Sequence, residues 1–437
     1  MNWLRGFWFR AFLIERPSVS LSLFRIAVAL TVGCHMIPSF LHMDDNYLHT
    51  AFKEKNGSFF PLWALRLVDQ SPDWLVWAFV GLFCISWGFF LIGFKTRVSS
   101  LLMGLSCYYF YALNSLHVGT LSFDILLVTL SLVYVTNYWG DGFSLDSLVR
   151  GDPYGYARQR PFFIQRLLQL QIAWTFGYTA LSKVTAGGNW IGDNPYLSLM
   201  HYPPMGVVRE FPFRAFLAAH PTVCHNLGIG ILLTEFSLPV LWFIRRTRPY
   251  ALAVGILFHV LLLITLHVPT IFFFLFPPQM LLFVEPERLV GWIEARRARQ
   301  ATHRIRLVYD GHCGFCLASI KRLMALDLFG AVELIDFHRL ENVASLHPSL
   351  TLERCRSRMQ LLEPGRLTEG FDAFRRMSHH LPLLWPLLPL LYLPGAGWIG
   401  RRVYDWVARN RFRFHTSAAC QTNQCALTLG KSDSANA

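Results

Sequence analysis

Two cysteines at the spacing Cys313-x-x-Cys316 are the side chains best suited to chemistry. They follow an apolar, β-rich run at 305–309 and precede a helical pattern that extends from Leu317 to Leu326. This order predicts that Cys313 stands at or near a helix N-terminus, where the helix dipole and the free N–H groups favour a thiolate. Cys316 would then lie about one helical turn further on, close enough to close a disulfide. The pattern therefore indicates thiol–disulfide exchange.

The same spacing also occurs in zinc sites, which need two further ligands. Cys420 and Cys425 could supply them, act as a second redox pair, or take no part. Their spacing is loose for a zinc knuckle, and the strand–turn–helix context of the first pair is typical of a redox motif. We therefore predict redox chemistry and no metal. Asp310, just before the pair, either tunes or deprotonates a cysteine or caps the turn.

Three spaced motifs in this region resemble the DCC family of predicted thiol-disulfide oxidoreductases. The motifs are Asp310-Gly-x-Cys313-x-x-Cys316, Gly370-x-x-Ala373 and Tyr404-Asp-Trp-Val-Ala408-Arg-Asn-Arg411. The resemblance, over roughly 305–415, implies a small thioredoxin-like α/β domain with Cys313 as attacking thiol and Cys316 as resolving thiol. Ordinary thioredoxins place a cis-proline opposite the cysteines, whereas this chain has Arg356-Ser357-Arg358 there. The usual backbone pairing with a substrate is therefore not implied.

The chain as a whole is strongly apolar. Hydrophobic residues make up 53% of its 437 residues and charged residues 15%, which is too apolar for an ordinary soluble protein. Apolar runs able to cross a hydrocarbon core of ~30 Å predict an α-helical polytopic membrane bundle of about eight spans. The predicted spans lie near 19–41, 74–94, 98–114, 121–138, 162–184, 223–244, 250–267 and 270–284. Arg25 and Arg166, near span ends, are expected to snorkel to the interface.

The formal net charge of +13 comes from Lys and Arg concentrated in particular loops. The basic clusters lie at 5–16, 95–97, 150–160, 245–248 and 288–299, and an even number of spans would place all of them on one side. The positive-inside rule then predicts a multi-pass membrane protein with both termini in the cytoplasm. We prefer this explanation to nucleic-acid binding, because no stacked aromatics on a basic groove accompany the charge.

The sequence thus predicts a membrane bundle over 1–290, a charged linker helix over 291–304, and a thioredoxin-like domain over 305–437. The end of that domain, from Gly430, is expected to be a disordered tail. The apolar stretch 381–398 contains Pro382, Pro386, Pro389 and Pro394, which argue against an uninterrupted span. We expect a helical hairpin there, packed on the sheet or lying on the membrane surface.

A turn-rich loop follows a lysine at the end of the fifth predicted span. The loop is Gly187-Gly188-Asn189-Trp190-x-Gly192, and the lysine is Lys183. This arrangement resembles the membrane region of the vitamin K-dependent gamma-carboxylases, which is homologous to the bacterial HTTM (horizontally transferred transmembrane) family. Asn114-x-x-His117 before Asp124, Glu235 with Pro239, and His259 in an aromatic-rich span strengthen the resemblance, which covers about 15–290.

The resemblance implies that Lys183 is a base acting on a reduced quinone and that His117 helps to hold the oxyanion. Trp190 and His259 are then candidate contacts for a quinone-type or lipid-like ligand, although no cofactor is certain. Each of these residues also has a structural alternative, because a lysine at a span end usually snorkels. Likewise, intramembrane Asp, Glu and His side chains usually pair inside the bundle.

The sequence lacks the large lumenal domain of the carboxylases, which argues against glutamate carboxylation. We therefore predict a protein-disulfide oxidoreductase of the bacterial inner membrane, a location that the HTTM resemblance implies. It would work among membrane lipids on a thiol or disulfide protein or small molecule. One alternative is a lipid-modifying or transport-like bundle regulated by the redox domain. Another is a metal-binding module formed by Cys313, Cys316, Cys420 and Cys425.

Overall fold

The computed structural model describes residues 6, 8–48, 68, 71–114, 120–152, 154–185, 190–192, 211–265 and 276–411. Its contacts divide the chain into two compact units. The first unit comprises residues 1–142 and 156–288, and the second comprises 143–155 and 289–437. The second unit therefore includes a short segment, 143–155, that lies between two predicted spans in the sequence.

The first unit is mostly helical, as expected for apolar segments whose backbone groups must be satisfied without water. Its helices are Val19–Phe40, Met43–Asn46, Asp73–Ile92, Thr96–Leu113, Thr120–Val135, Phe163–Thr185, Arg214–Ala219, Pro221–Leu241 and Arg248–Thr265. Two short strands, Glu15–Pro17 and Gln159–Pro161, pair antiparallel. The core of this unit is rich in aromatic side chains, including Phe24, Phe83 and Trp139.

Four helices among the described residues are long and apolar enough to cross a membrane. They are Val19–Phe40, Asp73–Ile92, Pro221–Leu241 and Arg248–Thr265, and each overlaps a predicted span. Helices also occur at three further predicted spans, with bounds Thr96–Leu113, Thr120–Val135 and Phe163–Thr185. Much of the last predicted span, 270–284, lies outside the described residues. A count of about eight spans therefore stays a prediction.

Arg25 occupies a different environment from the one that its sequence position suggests. Its side chain is fully buried in the first unit, with 0% exposure. The guanidinium donates to the backbone carbonyls of Phe90 (2.5 Å), Leu91 (2.7 Å) and Trp139 (3.1 Å). Phe90 and Leu91 lie in the last turn of Asp73–Ile92, where the carbonyl groups carry partial negative charge and a cation is favourable. The expectation that Arg25 snorkels to the interface is therefore wrong.

The second unit contains a mixed four-stranded sheet. The strand Ile305–Tyr309 pairs parallel with Val332–Asp336 on one side and antiparallel with Gln360–Glu363 on the other. Arg366–Glu369 completes the sheet as the antiparallel hairpin partner of Gln360–Glu363. Successive side chains of a strand point to opposite faces, so Leu307 and Leu361 join one buried cluster while Val308 and Leu362 join another. Both faces of the sheet are therefore covered.

Helices surround this sheet. Their bounds are Leu145–Arg150, Pro286–Gln300, Gly314–Leu326, Leu352–Ser357, Gly370–Met377, Leu388–Leu391 and Ala396–Asn410. The helix Leu145–Arg150 begins after Ser144, whose hydroxyl accepts the N–H of Ser147 at 3.0 Å, and ends at Gly151 in the left-handed region. It packs against Gly314–Leu326, which brings segment 143–155 into the second unit.

The proline-rich stretch 381–398 forms short pieces of helix instead of one span. A 3₁₀ segment, Pro382–Leu387, is followed by the turn-length helix Leu388–Leu391. Leu381 and Leu384 are buried in the core of the second unit, whereas Trp385 and Leu390 are exposed. Part of the stretch therefore packs into the core of the second unit. Its division into short helical segments agrees with the interruption expected from its prolines.

Candidate functional site

The cysteine pair lies where the strand Ile305–Tyr309 turns into the helix Gly314–Leu326, hereafter the active-site helix. Cys313 is the N-cap residue of this helix, with an extended backbone (φ −93°, ψ 112°). Its sulfur accepts a hydrogen bond from the backbone N–H of Cys316 at 3.3 Å. The sulfur thus takes the place that a hydroxyl or carboxylate oxygen usually takes at a helix N-terminus, where negative charge is stabilised.

The two thiols differ in acidity. The pKa of Cys313 is lowered to about 7, chiefly by hydrogen bonding from the Cys316 thiol, with help from the Cys316 backbone N–H and the Arg411 guanidinium. Burial and the Asp310 carboxylate act in the opposite direction. The pKa of Cys316 is raised, first by its hydrogen bond to the Cys313 sulfur and then by burial. Cys313 is therefore the thiolate of the pair near neutral pH.

The two sulfur-bearing residues also differ in accessibility. Cys313 is only 1% exposed, whereas Cys316 is half-buried. Cys316 lines a cavity of about 600 Å³ within the second unit. The lowered pKa of Cys313 agrees with the attacking role predicted for it, which stays a prediction, and the sequence contains no sign that Cys316 has the better access.

Asp310 connects the turn to two distant parts of the chain. Its carboxylate accepts the backbone N–H of His312 at 3.1 Å, which is the turn-capping role. It also contacts His338 Nε2 at 2.9 Å and Arg411 Nη2 at 3.4 Å. Arg411 in turn donates to the backbone carbonyl of Arg356 at 2.6 Å. Asp310 thus caps the turn, and its charge raises the pKa of Cys313, while a role in deprotonating a cysteine stays a prediction.

A second carboxylate, Asp336, holds the same turn from the neighbouring strand. Its Oδ1 accepts the backbone N–H groups of Gly311 and His338, each at 3.1 Å. A Cβ atom at Gly311 would overlap the Asp336 carboxylate, so the close approach requires glycine. The rings of His312 and His338 stack with centroids 3.8 Å apart. Sequence reasoning missed Asp336 and His338, although the ends of adjacent parallel strands predictably meet at one sheet edge.

The motifs that contain Gly370 and Tyr404 support the active-site turn indirectly, through contacts with the backbone and with charged side chains. The Tyr404 hydroxyl accepts the backbone N–H of Met359 at 3.1 Å, just before the strand Gln360–Glu363. Gly370 has a φ of +61°, and a Cβ there would lie 3.2 Å from the Tyr404 ring. Arg358 bridges Glu369 at 3.2 Å and Asp405 at 2.9 Å. These contacts fix the helix Ala396–Asn410, and with it Arg411, against the sheet.

Replacing Gly370 with alanine is expected to destabilise the second unit by more than about 1–2 kcal/mol, the cost of a left-handed backbone for an L-residue. Crowding against Tyr404 adds to this cost. Gly365→Ala is the matched control, because Gly365 has a φ of +70° but no atom within 4 Å of the added Cβ. Urea-dependent alkylation of the buried Cys355 in the full-length protein measures both variants. Equal shifts would show that the Tyr404 contact contributes nothing.

In the first unit, Lys183 and Trp190 come together with Glu235. Lys183, near the end of Phe163–Thr185, forms an ion pair with Glu235 of Pro221–Leu241. The Lys183 Nζ lies 5.1 Å from the centre of the Trp190 ring. Glu235 is 5% exposed, so the ion pair compensates a charge that would otherwise be costly in the bundle. The structural alternative for these residues, an ion pair inside the bundle, is therefore observed. Lys183 must lose a proton from this pair before it can act as a base.

His259 lies in a different set of contacts. Its Nδ1 is 2.9 Å from the Gly255 carbonyl, and its ring stacks on Phe276 with centroids 3.5 Å apart.

Three further candidate residues, His117, Cys420 and Cys425, lie outside the described residues, so their roles remain predictions. Within the described ranges, no group of three or more His, Cys, Asp or Glu side chains is arranged to hold a metal ion.

Two family matches cover most of the chain. Residues 15–288 match the HTTM domain. Residues 307–416 match the family described as DCC1-like thiol-disulfide oxidoreductase, and this match contains the cysteine pair, Asp310 and Arg411. No curated protein and no solved structure matches the chain significantly. The two matches occur in the order that the sequence motifs predicted.

Proposed function

The chain belongs to the HTTM family and carries a DCC1-like thiol-disulfide oxidoreductase domain, and on that premise we propose that it is a membrane-bound oxidoreductase whose second unit exchanges thiols and disulfides through Cys313 and Cys316. The observation that carries this proposal is the position of Cys313 at the N-cap of the active-site helix. Its sulfur accepts the Cys316 N–H at 3.3 Å, and its pKa is lowered to about 7. Such a thiolate is both a nucleophile and a good leaving group.

The chemistry proposed for the pair needs only the two sulfurs. In the reduced protein, the Cys313 thiolate attacks a substrate disulfide and one substrate thiolate leaves. Cys316 then attacks the Cys313 sulfur, which releases the second substrate thiol and closes the protein disulfide. Two electrons pass to the substrate, and the protein disulfide is reduced again by thiols, which are themselves joined as a disulfide.

A thioredoxin-like fold is part of the same proposal. The sheet order places Ile305–Tyr309 between its parallel neighbour Val332–Asp336 and the antiparallel hairpin. The redox pair follows that central strand and opens the next helix. This placement supports a thioredoxin-like arrangement, in which the reactive sulfur is presented at the sheet edge by a helix N-terminus.

The proposed orientation places both termini, and hence the cysteine pair, in the bacterial cytoplasm. Its support is the clustering of Lys and Arg in alternate loops of the sequence. In the reducing cytoplasm, structural disulfides are rare and a Cys-x-x-Cys pair is more often catalytic. The proposed partner is a thiol or disulfide compound, either a protein or a small molecule.

The bundle is proposed to offer a site for a quinone-type or lipid-like ligand near Lys183. The Lys183 amine there contacts both the Glu235 carboxylate and the Trp190 indole. These groups fit a ligand that has a planar ring and carbonyl oxygens, since the amine can donate to oxygen and the indole can stack. Such a ligand would supply two-electron redox chemistry when bound.

Turnover of a model disulfide by the full-length protein in detergent tests the exchange function. Cys313→Ser and Cys316→Ser are each expected to lower the rate at least 100-fold, because each removes a sulfur that both half-reactions need. Cys84→Ser is the matched control, since Cys84 is an exposed thiol of the first unit. Full turnover in Cys313→Ser would disprove the proposal, as would stoichiometric zinc bound through the pair.

A further inference from the structure

The cavity beside Cys316 has the size and lining of a small-molecule site. Its volume is about 600 Å³, within the range of about 300–1,000 Å³ that is usual for ligand pockets. The active-site helix and the helices Gly370–Met377 and Ala396–Asn410 supply most of its walls. The apolar lining includes Leu307, Ile320, Leu323, Phe374, Met377, Val403 and Val407. A charged ligand would lose hydration in such a cavity without a matching partner on most of its surface.

One residue of the redox pair lines this cavity. Cys316 is among the described residues that line it, whereas Cys313 is not and is only 1% exposed. Asp310, Arg322, Tyr404 and Arg411 also line the cavity and contribute polar groups to it. A molecule that enters the cavity therefore meets Cys316 before Cys313.

The Cys313 sulfur is positioned as the leaving group. Attack on one sulfur of a disulfide expels its partner as a thiolate, and a partner of lower pKa leaves faster. Cys313 sits at the N-cap of the active-site helix with the Cys316 N–H 3.3 Å from its sulfur. Attack on Cys316 would thus release the sulfur that this fold stabilises as an anion.

Building on the proposed exchange function, we propose that the cavity receives a thiol carried on an apolar group and that this thiol reacts with the protein disulfide at Cys316. The bond between the Cys313 and Cys316 sulfurs breaks, a bond between the substrate and Cys316 sulfurs forms, and Cys313 leaves with the electron pair. A second substrate thiolate then attacks the substrate sulfur and releases Cys316. The substrate becomes a disulfide, and the protein pair gains two electrons. In this reduction of the protein disulfide, the incoming thiol bonds to Cys316 and not to Cys313, whereas in the opposite half-reaction Cys313 attacks the substrate disulfide.

Mapping the mixed disulfide tests this assignment. The full-length protein, oxidised with diamide, is mixed with 2-naphthalenethiol, quenched in acid, alkylated with N-ethylmaleimide and analysed by peptide mass spectrometry. The expected product carries naphthylthio on Cys316 and maleimide on Cys313, in at least tenfold excess over the reverse. The reverse labelling would overturn the proposal.

Reaction rates provide a second readout that does not need the intermediate to accumulate. At equal thiolate concentration, 2-naphthalenethiol is expected to reduce the protein disulfide at least tenfold faster than anionic 2-mercaptoethanesulfonate. Ala408→Phe, which narrows the cavity, should lower this ratio at least fivefold, whereas Ala396→Phe on the same helix outside the lining should not. Equal rates for the two thiols would overturn the proposal. Failure of every thiol, dithiothreitol included, to reduce the pair would instead overturn the exchange function itself.

Discussion

Alkylation of Cys313 in the reduced full-length protein is expected to titrate with a midpoint at about pH 7. Only the thiolate reacts with iodoacetamide, so the rate should fall about tenfold for each pH unit below that midpoint and level off above it. An ordinary cysteine, with a pKa of about 8.5, would give only a few per cent of its full rate at pH 7. Cys316 should remain almost unlabelled near pH 7, because its hydrogen bond to the Cys313 sulfur raises its pKa.

Three variants separate the causes of this low pKa. Cys316→Ala removes the thiol that contributes most to it, so the midpoint should rise by the largest amount. Arg411→Gln removes a positive charge and should raise the midpoint less. Asp310→Asn removes a negative charge and should lower the midpoint. Because Cys313 is covered, the comparison uses midpoints and not absolute rates.

The measurement is peptide mass spectrometry of Cys313 after timed alkylation between pH 5 and pH 10. Arg322→Gln, on the active-site helix, is a matched control for loss of a positive charge that is not among the causes of the Cys313 shift. A midpoint near the ordinary cysteine value would remove the central support for the exchange function. An Asp310→Asn midpoint above that of the wild type would show that Asp310 assists thiolate formation, contrary to the electrostatic argument.

The parts of the second unit that the sequence predicted are those fixed by neighbouring residues. The apolar run at 305–309 and the helical pattern from Leu317 to Leu326 each contain their own signal. The observed elements Ile305–Tyr309 and Gly314–Leu326 follow these predictions closely. Hydrophobic periodicity and turn chemistry depend on residues a few positions apart, so one sequence is enough to predict such elements.

The parts that escaped prediction depend on contacts between distant residues. Arg411 reaches Asp310 across 101 positions, and His338 reaches it across 28. Arg25 reaches Phe90 across 65 positions, so its burial cannot be inferred from its place near a span end. The contact of helix Leu145–Arg150 with the active-site helix is also long-range. The sequence contains these residues, but only the fold decides which of them meet.

The cavity next to Cys316 illustrates the same limit for function. Its lining comes from helices that are separate in sequence, and no single helix contains a pattern that would indicate a cavity. Phe315 and Ser319 of the active-site helix, for example, form part of the lining, although the sequence pattern alone assigns them to no ligand. Packing density between helices, which sequence periodicity does not specify, determines whether such side chains close on one another or leave space.

Removing one charge of the Lys183–Glu235 pair is expected to harm the first unit more than removing both. Lys183→Met leaves a carboxylate that is 5% exposed without its counter-ion, and Glu235→Gln leaves the ammonium. Breaking a buried ion pair costs about 3–5 kcal/mol in general, and the 20% exposure of the Lys183 side chain places this pair at the lower end. The double variant, Lys183→Met with Glu235→Gln, should recover most of the lost stability, because it leaves no uncompensated charge.

Thermal unfolding of the full-length protein in lipid nanodiscs measures this cycle, and a second ion pair of the first unit provides its control. Arg16 and Glu287 lie 3.7 Å apart with side-chain exposures of 30% and 54%. Breaking that surface pair should change the stability by only about 0–1 kcal/mol.

Lys183→Arg distinguishes a structural role of Lys183 from a role as a base. It keeps the charge and should keep the stability, but arginine cannot act as a base. If single replacements at the Lys183–Glu235 pair cost no more than those at Arg16 and Glu287, the pair does not stabilise the bundle. If Lys183→Arg also preserves the redox response of a bound quinone-type ligand, Lys183 is not its base.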